Sequence, residues 1–298
     1  MRFVRFFQNE ETHVGLAQGD FIFDLTASSQ KLAIGRITSV TQLMTDLDLA
    51  ERLRAVGIKY QRDDVRLDAP IRDVPKLLAL AGNFRKHVVE SGFRPVESQD
   101  VITPQVFLKP PSITINNPGG PIALRNANRF LDWEVELAVV IGRKGRDIRA
   151  TEAMSHVFGY SIINDVSERE LNSGMTGRTV REFDPFFDWL LGKWFDGSAP
   201  LGPEIVTANE ITDPHALNLR LSLNGDVMQS GNTAQMIFDI PRTIEYISSV
   251  LTLEPGDVIA MGTPEGVGKA RGIRLKTGDV MRAEIEGIGA LETRIVAG

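Results

Sequence analysis

The stretch LDWEVELAVVIG, residues 131–142, restricts the fold more than any other part of the sequence. Its odd positions are all apolar, and this alternation predicts a β-strand with one fully buried face. The opposite face begins with Glu134 and Glu136 but continues with Ala138 and Val140. A solvated outer face would be the commoner setting for two such carboxylates. Because this face turns apolar, we instead expect both to point into an interior pocket, with Cα atoms roughly 7 Å apart.

A third carboxylate would explain this pair. Two charges at about 5 Å repel by about 3 kcal/mol at an effective dielectric near 20, so the pair either shares a proton or binds a cation. Asp165 ends the strand-like run 160–164, although an isolated Asp there is more often a turn or cap residue. If the two strands are neighbours, the three carboxylates form an all-oxygen site. Such a site selects Mg²⁺, Mn²⁺ or Ca²⁺ and leaves positions for substrate and water.

Composition narrows the function classes. The chain has no cysteine and only four histidines, which excludes disulfides, thiolate catalysis and cysteine-bound metals. The formal charge of -6 argues against nucleic acid or an anionic membrane as the main partner, because both need a basic face. We find no signal-peptide pattern and no uncharged run of membrane-spanning length, so we expect a cytoplasmic protein.

The rest of the sequence predicts a β-rich α+β protein in two parts. Residues 1–70 contain three short strand-like runs and a helix predicted over 41–56, as in a small α/β domain. A charged stretch with two prolines, residues 62–76, connects this part to the main body. Residues 71–298 contain many short strand-like runs bounded by Gly, Pro, Asn and Asp, which is typical of a sandwich or barrel-like body. A helix is predicted there over 240–251, with a proline suited to its first turn.

The run GNFRKHVVE, residues 82–90, follows a strand-like segment and places His87 and Glu90 on one face of a predicted helical turn. A histidine beside a carboxylate can act as a general base or hold a water for attack. An isolated pair of this kind is more often a solvent-exposed salt bridge. Its location directly after a strand and a glycine favours a catalytic role.

Seven sequence motifs follow one another along the chain: GNFRKHVVE, VFLKPPS, LDWEVELAVVIG, FGYSIINDVSERE, NGDVMQSGNTAQMIFDIP, LEPGDVIAMGTPEGVG and GDVMRAEIEGIG. In order, type and spacing they resemble the fumarylacetoacetate hydrolase family over about residues 77–296, and the first part resembles that family's small domain. The resemblance implies a mixed β-roll catalytic domain, usually a homodimer. It also implies a divalent metal, Mg²⁺ or Mn²⁺ with Ca²⁺ as a further option.

The same resemblance implies roles for individual residues. The implied metal ligands are Glu134, Glu136 and Asp165. The implied catalytic residues are His87 and Glu90, which activate water, and Lys193, which contacts the substrate's oxygens. Further residues expected to line the substrate pocket are Lys109, Gln229 and Thr263.

Departures from the family pattern concern the substrate more than the chemistry. Phe84 stands where the family often has Tyr, and Trp194 stands where a small polar residue is common. The segment 171–192 is longer and more aromatic than in many relatives. We expect this segment to form a lid over bound substrate, in which Arg181 binds a second substrate carboxylate. A surface helix with scattered arginines is an equally good interpretation.

Together these residues predict a metal-dependent hydrolase that cleaves a C–C bond in a small acylpyruvate or 1,3-diketo acid through a metal-stabilised enolate. Two alternatives use the same enolate without an attacking water: decarboxylation of an oxo-diacid such as oxaloacetate, and keto–enol isomerisation of the 2-hydroxyhepta-2,4-diene-1,7-dioate type. A non-catalytic protein that binds metal and small acids is a third interpretation. The His87–Glu90 pair argues against it.

Overall fold

The structure, a computed structural model, describes residues 1–94, 99–126 and 129–298. It is an α+β, strand-rich protein, as predicted. Among the helices of these ranges, none is both long enough and apolar enough to cross a membrane.

The strands, in chain order, are Arg2–Gln8 (β1), Glu11–Gln18 (β2), Phe21–Asp24 (β3), Lys59–Gln61 (β4), Arg66–Asp68 (β5), Leu77–Ala81 (β6), Gln105–Lys109 (β7), Ile115–Asn116 (β8), Ile122–Leu124 (β9), Leu131–Asp132 (β10), Val135–Ile141 (β11), Val157–Asn164 (β12), Ser167–Glu168 (β13), Ala199–Thr207 (β14), Asn218–Leu223 (β15), Asp226–Asn232 (β16), Val258–Ala260 (β17), Val280–Ile285 (β18) and Gly289–Ala297 (β19). The α-helices are Leu25–Lys31 (α1), Leu47–Arg54 (α2), Arg85–Glu90 (α3), Pro111–Thr114 (α4), Ala150–Ala153 (α5), Asp184–Leu191 (α6), Ile240–Val250 (α7) and Gly268–Arg271 (α8).

The sheets place β11 in the middle of the molecule. A 12-stranded sheet runs in the order β4-β3-β2-β1-β14-β12-β11-β17-β6-β7, with β5 and β8 paired beside this path. A five-stranded sheet runs in the order β16-β15-β18-β19-β9, and β10 pairs with β13 alone. β11 lies between β12 and β17, so both of its backbone edges are hydrogen-bonded to neighbouring strands.

Both faces of β11 are buried, as the alternation predicted. Leu137, Val139 and Ile141 pack in a core with residues of β15, β18 and α7. Ala138 and Val140 pack in a second core with residues of β1, β2 and α2. Burial of each larger side chain contributes about 1.5–3 kcal/mol, so a shift of register in this strand would disrupt two cores at once.

The strand predicted over 131–142 is nevertheless interrupted. Two residues, Trp133 and Glu134, separate the end of β10 from the start of β11. The Glu134 backbone N–H donates to the Asn164 side-chain oxygen at 2.9 Å instead of to a strand partner. Antiparallel pairing with β12 begins at Val135 opposite Asn164, and the Asp165 N–H donates to the Glu134 carbonyl at 2.8 Å. The two acidic residues are therefore held next to each other by backbone contacts.

The helix predicted over 41–56 is wrong in extent. A 3-10 turn covers Val40–Leu43, and α2 starts separately. The break arises because the Asp46 carboxylate accepts a hydrogen bond from the Leu49 N–H at 2.8 Å and so begins a new helix. The helix predicted over 240–251 is confirmed as α7.

The N-terminal strands extend the main sheet. β1 pairs with β14 antiparallel, with Phe3 opposite Ile205. The Arg2 guanidinium donates to the Glu204 carboxylate of β14 at 2.5 Å. The division into domains at residue 70 stays a prediction, since the sheet itself is continuous across it.

Candidate metal centre and active site

Three carboxylates converge at the start of β11 and the end of β12. Glu134, Glu136 and Asp165 each offer an oxygen, and these oxygens all lie within 4.8 Å of one another. The three side chains are buried, with exposures of 4%, 1% and 1%. Strand alternation predicted Glu134 and Glu136 on one face, and Asp165 was expected to join them if the two strands were neighbours. The strands are neighbours, and the structure brings the three carboxylates together. The donor set consists of hard oxygens alone, which fits a divalent cation such as Mg²⁺ or Mn²⁺.

Two buried lysines contact this carboxylate trio. The Lys193 ammonium donates to Glu134 Oε2 at 2.8 Å and to Asp165 Oδ2 at 2.7 Å. The Lys109 ammonium, at the end of β7, donates to Asp165 Oδ1 at 2.5 Å and to the Val166 and Ser198 carbonyls. Both lysines therefore lie in the site to which the resemblance assigned them. Their charges partly compensate the negative charge of the trio.

The pKa values of the trio diverge because their surroundings differ. Burial, followed by the charges of Asp165 and Glu134, raises the pKa of Glu136 well above its ordinary value. Burial also acts on Glu134, but the Arg169 guanidinium and the Lys193 ammonium outweigh it and lower the pKa of that carboxyl. Glu136 is thus the member of the trio whose ionisation costs most, and a divalent cation bound to the three carboxylates would favour its ionised form.

The pKa values of the two lysines shift in opposite directions. Burial lowers the pKa of Lys109 below its ordinary value, because the nearby Asp165 only partly offsets the loss of hydration. Burial acts the same way on Lys193, but the charges of Asp165 and Glu134 outweigh it and raise the pKa of this lysine. Lys193 is therefore a firmly held cation beside the trio.

The predicted His87–Glu90 pair forms on α3. His87 Nδ1 and Glu90 Oε1 are 2.8 Å apart, and Glu90 Oε2 accepts a hydrogen bond from the Gly266 N–H at 2.8 Å. Glu90 is thus anchored to the loop after β17 while it orients the histidine. His87 also lies near enough to Glu134 to lower the pKa of that carboxyl. With the Nδ1 proton directed to Glu90, Nε2 is the basic nitrogen of the ring.

Gln229 and Thr263 form a buried frame around the start of β11. Gln229 Oε1 accepts a hydrogen bond from the Val135 N–H at 3.0 Å, and its amide donates to Thr263 Oγ1 at 2.8 Å. Thr263 Oγ1 donates in turn to the Val135 carbonyl at 2.9 Å. The neighbouring Gly262 N–H donates to Glu136 Oε2 at 2.6 Å. These bonds fix the strand that carries the glutamates, and contact of Gln229 and Thr263 with substrate stays a prediction.

Arg181 lies apart from this cluster. Its side chain is 83% exposed, and its Nε donates to Asp184 Oδ1 at 3.0 Å. The segment around it forms a surface turn followed by α6, which agrees with the surface-helix interpretation. A role for Arg181 in reading a second carboxylate stays a prediction and would require it to leave Asp184.

Arg169 is a site residue that the sequence analysis missed. Its side chain is mostly buried, its Nε donates to Asp132 Oδ2 at 2.9 Å, and its Nη2 contacts Glu134 Oε1. Asp132 is held in turn by the backbone N–H groups of Gly268 and Lys269 at the start of α8. A signal was available, because Arg169 is the first cation after Asp165 in the motif NDVSERE.

Comparisons with known proteins show the family of the chain. Residues 76–296 match the family model described as fumarylacetoacetate (FAA) hydrolase, C-terminal. The chain belongs to the fumarylacetoacetate hydrolase family. The family resemblance and the predicted fold class are thereby confirmed.

Three relatives of this fumarylacetoacetate hydrolase family protein carry different names. The mitochondrial oxaloacetate tautomerase FAHD2A of Bos taurus is 37% identical over 289 residues, which cover 95% of this chain and 87% of that protein. Maleylpyruvate hydrolase from Sphingobium sp. SYK-6, solved in complex with a manganese(II) ion and pyruvate, is 30% identical with a TM-score of 0.79 and full coverage of both chains. The 5-carboxymethyl-2-hydroxymuconate delta-isomerase from Mycobacterium smegmatis is 32% identical with a TM-score of 0.75, and the match covers 100% of this chain and 99% of that one.

Proposed function

We propose that this family member is a divalent-metal-dependent hydrolase that cleaves the C–C bond of a small acylpyruvate. The observation that carries the proposal is the His87–Glu90 pair beside the carboxylate trio, because a base placed next to a cation site is what hydrolysis at a carbonyl needs. Mg²⁺ and Mn²⁺ both suit the oxygen donors. The manganese and pyruvate bound in the Sphingobium structure support this choice of cation and of substrate head.

The carboxylate trio and the His87–Glu90 pair have separate roles in this reaction. Glu134, Glu136 and Asp165 would hold a divalent cation, which supplies positive charge beside the 2-oxo and carboxylate oxygens of the substrate and so stabilises the enolate. His87 accepts a proton from water at Nε2, while Glu90 stabilises the resulting imidazolium through Nδ1.

The bond changes balance without a further reagent. The hydroxide adds to the distal carbonyl carbon, the C–C bond to the pyruvate methylene breaks, and its electron pair forms the enolate. The proton held by His87 then returns to that methylene carbon. Lys193, whose ammonium is held at the trio, steadies the negative charge during these steps.

The test is pyruvate release from acetylpyruvate with Mg²⁺ or Mn²⁺, measured with a coupled lactate dehydrogenase assay. We expect wild-type turnover and a loss of 10²–10⁴-fold in kcat for His87→Ala, the usual contribution of a general base. His13→Ala is the matched control, because His13 Nδ1 also contacts a carboxylate, Asp24, at 2.7 Å; its kcat should stay within twofold of wild type. Absence of wild-type turnover, or an unchanged kcat in His87→Ala, would contradict the proposal.

Tautomerisation of oxaloacetate is a second candidate. The relationship to FAHD2A over 95% of the chain favours it, and it needs only the enolate and a proton carrier at the same site. An assay that monitors the loss of enol absorbance as enol oxaloacetate converts to the keto form would detect this activity. Rapid conversion by a protein that releases no pyruvate from acylpyruvates would replace the first proposal with the second.

A further inference from the structure

Four aromatic side chains form a continuous row from the interior to the surface, here called the aromatic row: Phe107, Trp189, Phe186 and Phe187. The Phe107 and Trp189 rings meet edge to face with centroids 5.0 Å apart. The Trp189 and Phe186 centroids are 6.0 Å apart, and those of Phe186 and Phe187 are 5.5 Å apart. Phe107 is 8% exposed, whereas Phe186 and Phe187 are 56% and 53% exposed. The row therefore leads from a buried end to solvent.

The buried end of the aromatic row lies at the carboxylate trio. Lys193 Nζ, which donates to two members of the trio, is 5.3 Å from the centroid of Phe107 and 5.8 Å from that of Trp189. Trp189 belongs to α6, which ends just before Lys193. A ligand whose acid head is held at the trio and whose tail extends past Lys193 toward solvent therefore meets aromatic faces.

The cations of the same segment are already paired. Arg178 contacts both oxygens of Asp188, at 2.5 and 3.0 Å. Arg181 contacts Asp184 through its backbone N–H and its guanidinium. A second carboxylate placed along the aromatic row would lose hydration without gaining either arginine as a partner, which is costly. An apolar tail would gain contact area there.

Packing alone accounts for only part of the aromatic row. Trp189 and Phe107 pack against the core formed by residues such as Leu201 and Val258, and so help to anchor α6. Phe186 and Phe187 extend the row outward but remain more than half exposed. Anchoring therefore leaves the outer half of the row more than half open to solvent, and this half is continuous with the site.

We propose that the aromatic row binds the substrate tail, and that the substrates are 2-oxo acids with an uncharged, apolar or aromatic tail rather than diacids. Trp189 is the specificity-determining residue, because its ring joins the buried end of the row to the exposed end. This inference rests on the proposed function only in placing the acid head of the substrate at the trio.

Binding and turnover test it separately. Kd values would be measured by calorimetry with Mn²⁺ for phenylpyruvate, pyruvate and 2-oxoglutarate, which share a head and differ in their tails. We expect phenylpyruvate to bind wild type at least tenfold more tightly than 2-oxoglutarate, a difference of about 1.4 kcal/mol. Trp189→Leu should weaken phenylpyruvate at least tenfold and change pyruvate less than twofold. Trp189→Phe should retain most of the affinity, which separates loss of the ring from misfolding.

Phe183→Leu is the matched control. Phe183 precedes α6, is 67% exposed and lies outside the aromatic row, so this variant should bind phenylpyruvate as wild type does. The inference is overturned if 2-oxoglutarate binds wild type as tightly as phenylpyruvate does or more tightly, or if Trp189→Leu binds phenylpyruvate as wild type does. A loss of 2-oxoglutarate affinity in Arg181→Ala would then show that Arg181 binds a carboxylate tail. Tight phenylpyruvate binding without cleavage of benzoylpyruvate or acetylpyruvate would overturn the hydrolase proposal and leave this one standing.

Discussion

Replacing Glu136 by Gln should stabilise the metal-free protein and at the same time abolish most of its response to metal. Glu136 is 1% exposed and shares the trio with two other carboxylates. The substitution removes one negative charge while retaining an oxygen that can accept the hydrogen bond from the Gly262 N–H. The shape of the side chain is nearly unchanged, so the effect reports on charge.

The size of the effect follows from the spacing of the trio. Carboxylate oxygens within 4.8 Å of one another repel by about 3.5 kcal/mol per ionised pair at an effective dielectric of 20. Protonation of Glu136, whose pKa is raised, already relieves part of this repulsion, and Lys193 offsets another part. We therefore expect the metal-free variant to gain about 1–3 kcal/mol, or about 2–6 °C in Tm.

Metal should act in the opposite direction and favour wild type. At a metal concentration of about 100 times Kd, wild type gains about 2.7 kcal/mol. If loss of one ligand weakens binding about 100-fold, the variant gains only about 0.4 kcal/mol under the same conditions. Differential scanning fluorimetry with and without Mn²⁺ measures both quantities in one experiment.

Glu204→Gln is the matched control for Glu136→Gln. Glu204 is equally buried at 3%, but it pairs with Arg2 at 2.5 Å and Arg62 at 3.1 Å. Its substitution should lower the Tm, because it leaves two arginines without their shared partner, and should leave the gain from Mn²⁺ unchanged. The reasoning fails if metal-free Glu136→Gln melts below wild type, or if Mn²⁺ stabilises it as much as it stabilises wild type.

Two further predictions concern the scaffold around the site. Burial, with a smaller effect of Asp213, raises the pKa of Tyr160 to about 12, so the folded state favours the neutral phenol. The contribution of Tyr160 to the free energy of unfolding should be fully present below pH 10 and fall by about 2–3 kcal/mol between pH 10 and 12. Urea unfolding should show this loss in wild type and not in Tyr160→Phe. A Cβ on Gly192 would lie 2.2 Å from the Glu168 carbonyl oxygen, whereas one on Gly174 would meet nothing within 4 Å. Gly192→Ala should therefore cost about 2–3 kcal/mol and displace Lys193, Gly174→Ala should be near neutral, and equal urea midpoints for the two variants would contradict this view of the backbone contact.

Much of the metal centre could be predicted from the sequence because strand periodicity is a local property. Alternation in 131–142 assigned Glu134 and Glu136 to one side of a strand that is buried on both faces, and the end of the next strand-like run supplied Asp165. The His87–Glu90 pair was likewise visible, since residues three apart meet on any helical turn. Even so, the break between β10 and β11 was not predictable, because side chains from distant segments, Asn164 and Gln229, replace the strand's own hydrogen bonds there.

The sequence by itself determined which acidic residues share a face, that their ligands are oxygens, and that the protein is β-rich, because these depend on residue types and short-range spacing. Only the tertiary structure showed that Arg169 joins Lys109 and Lys193 at the trio, whereas Arg181 pairs with Asp184 at the surface. It also decided that Phe107 and Trp189, 82 positions apart in the sequence, meet edge to face beside Lys193. Side-chain partners of this kind depend on how strands and helices pack in space, and spacing along the chain does not record that.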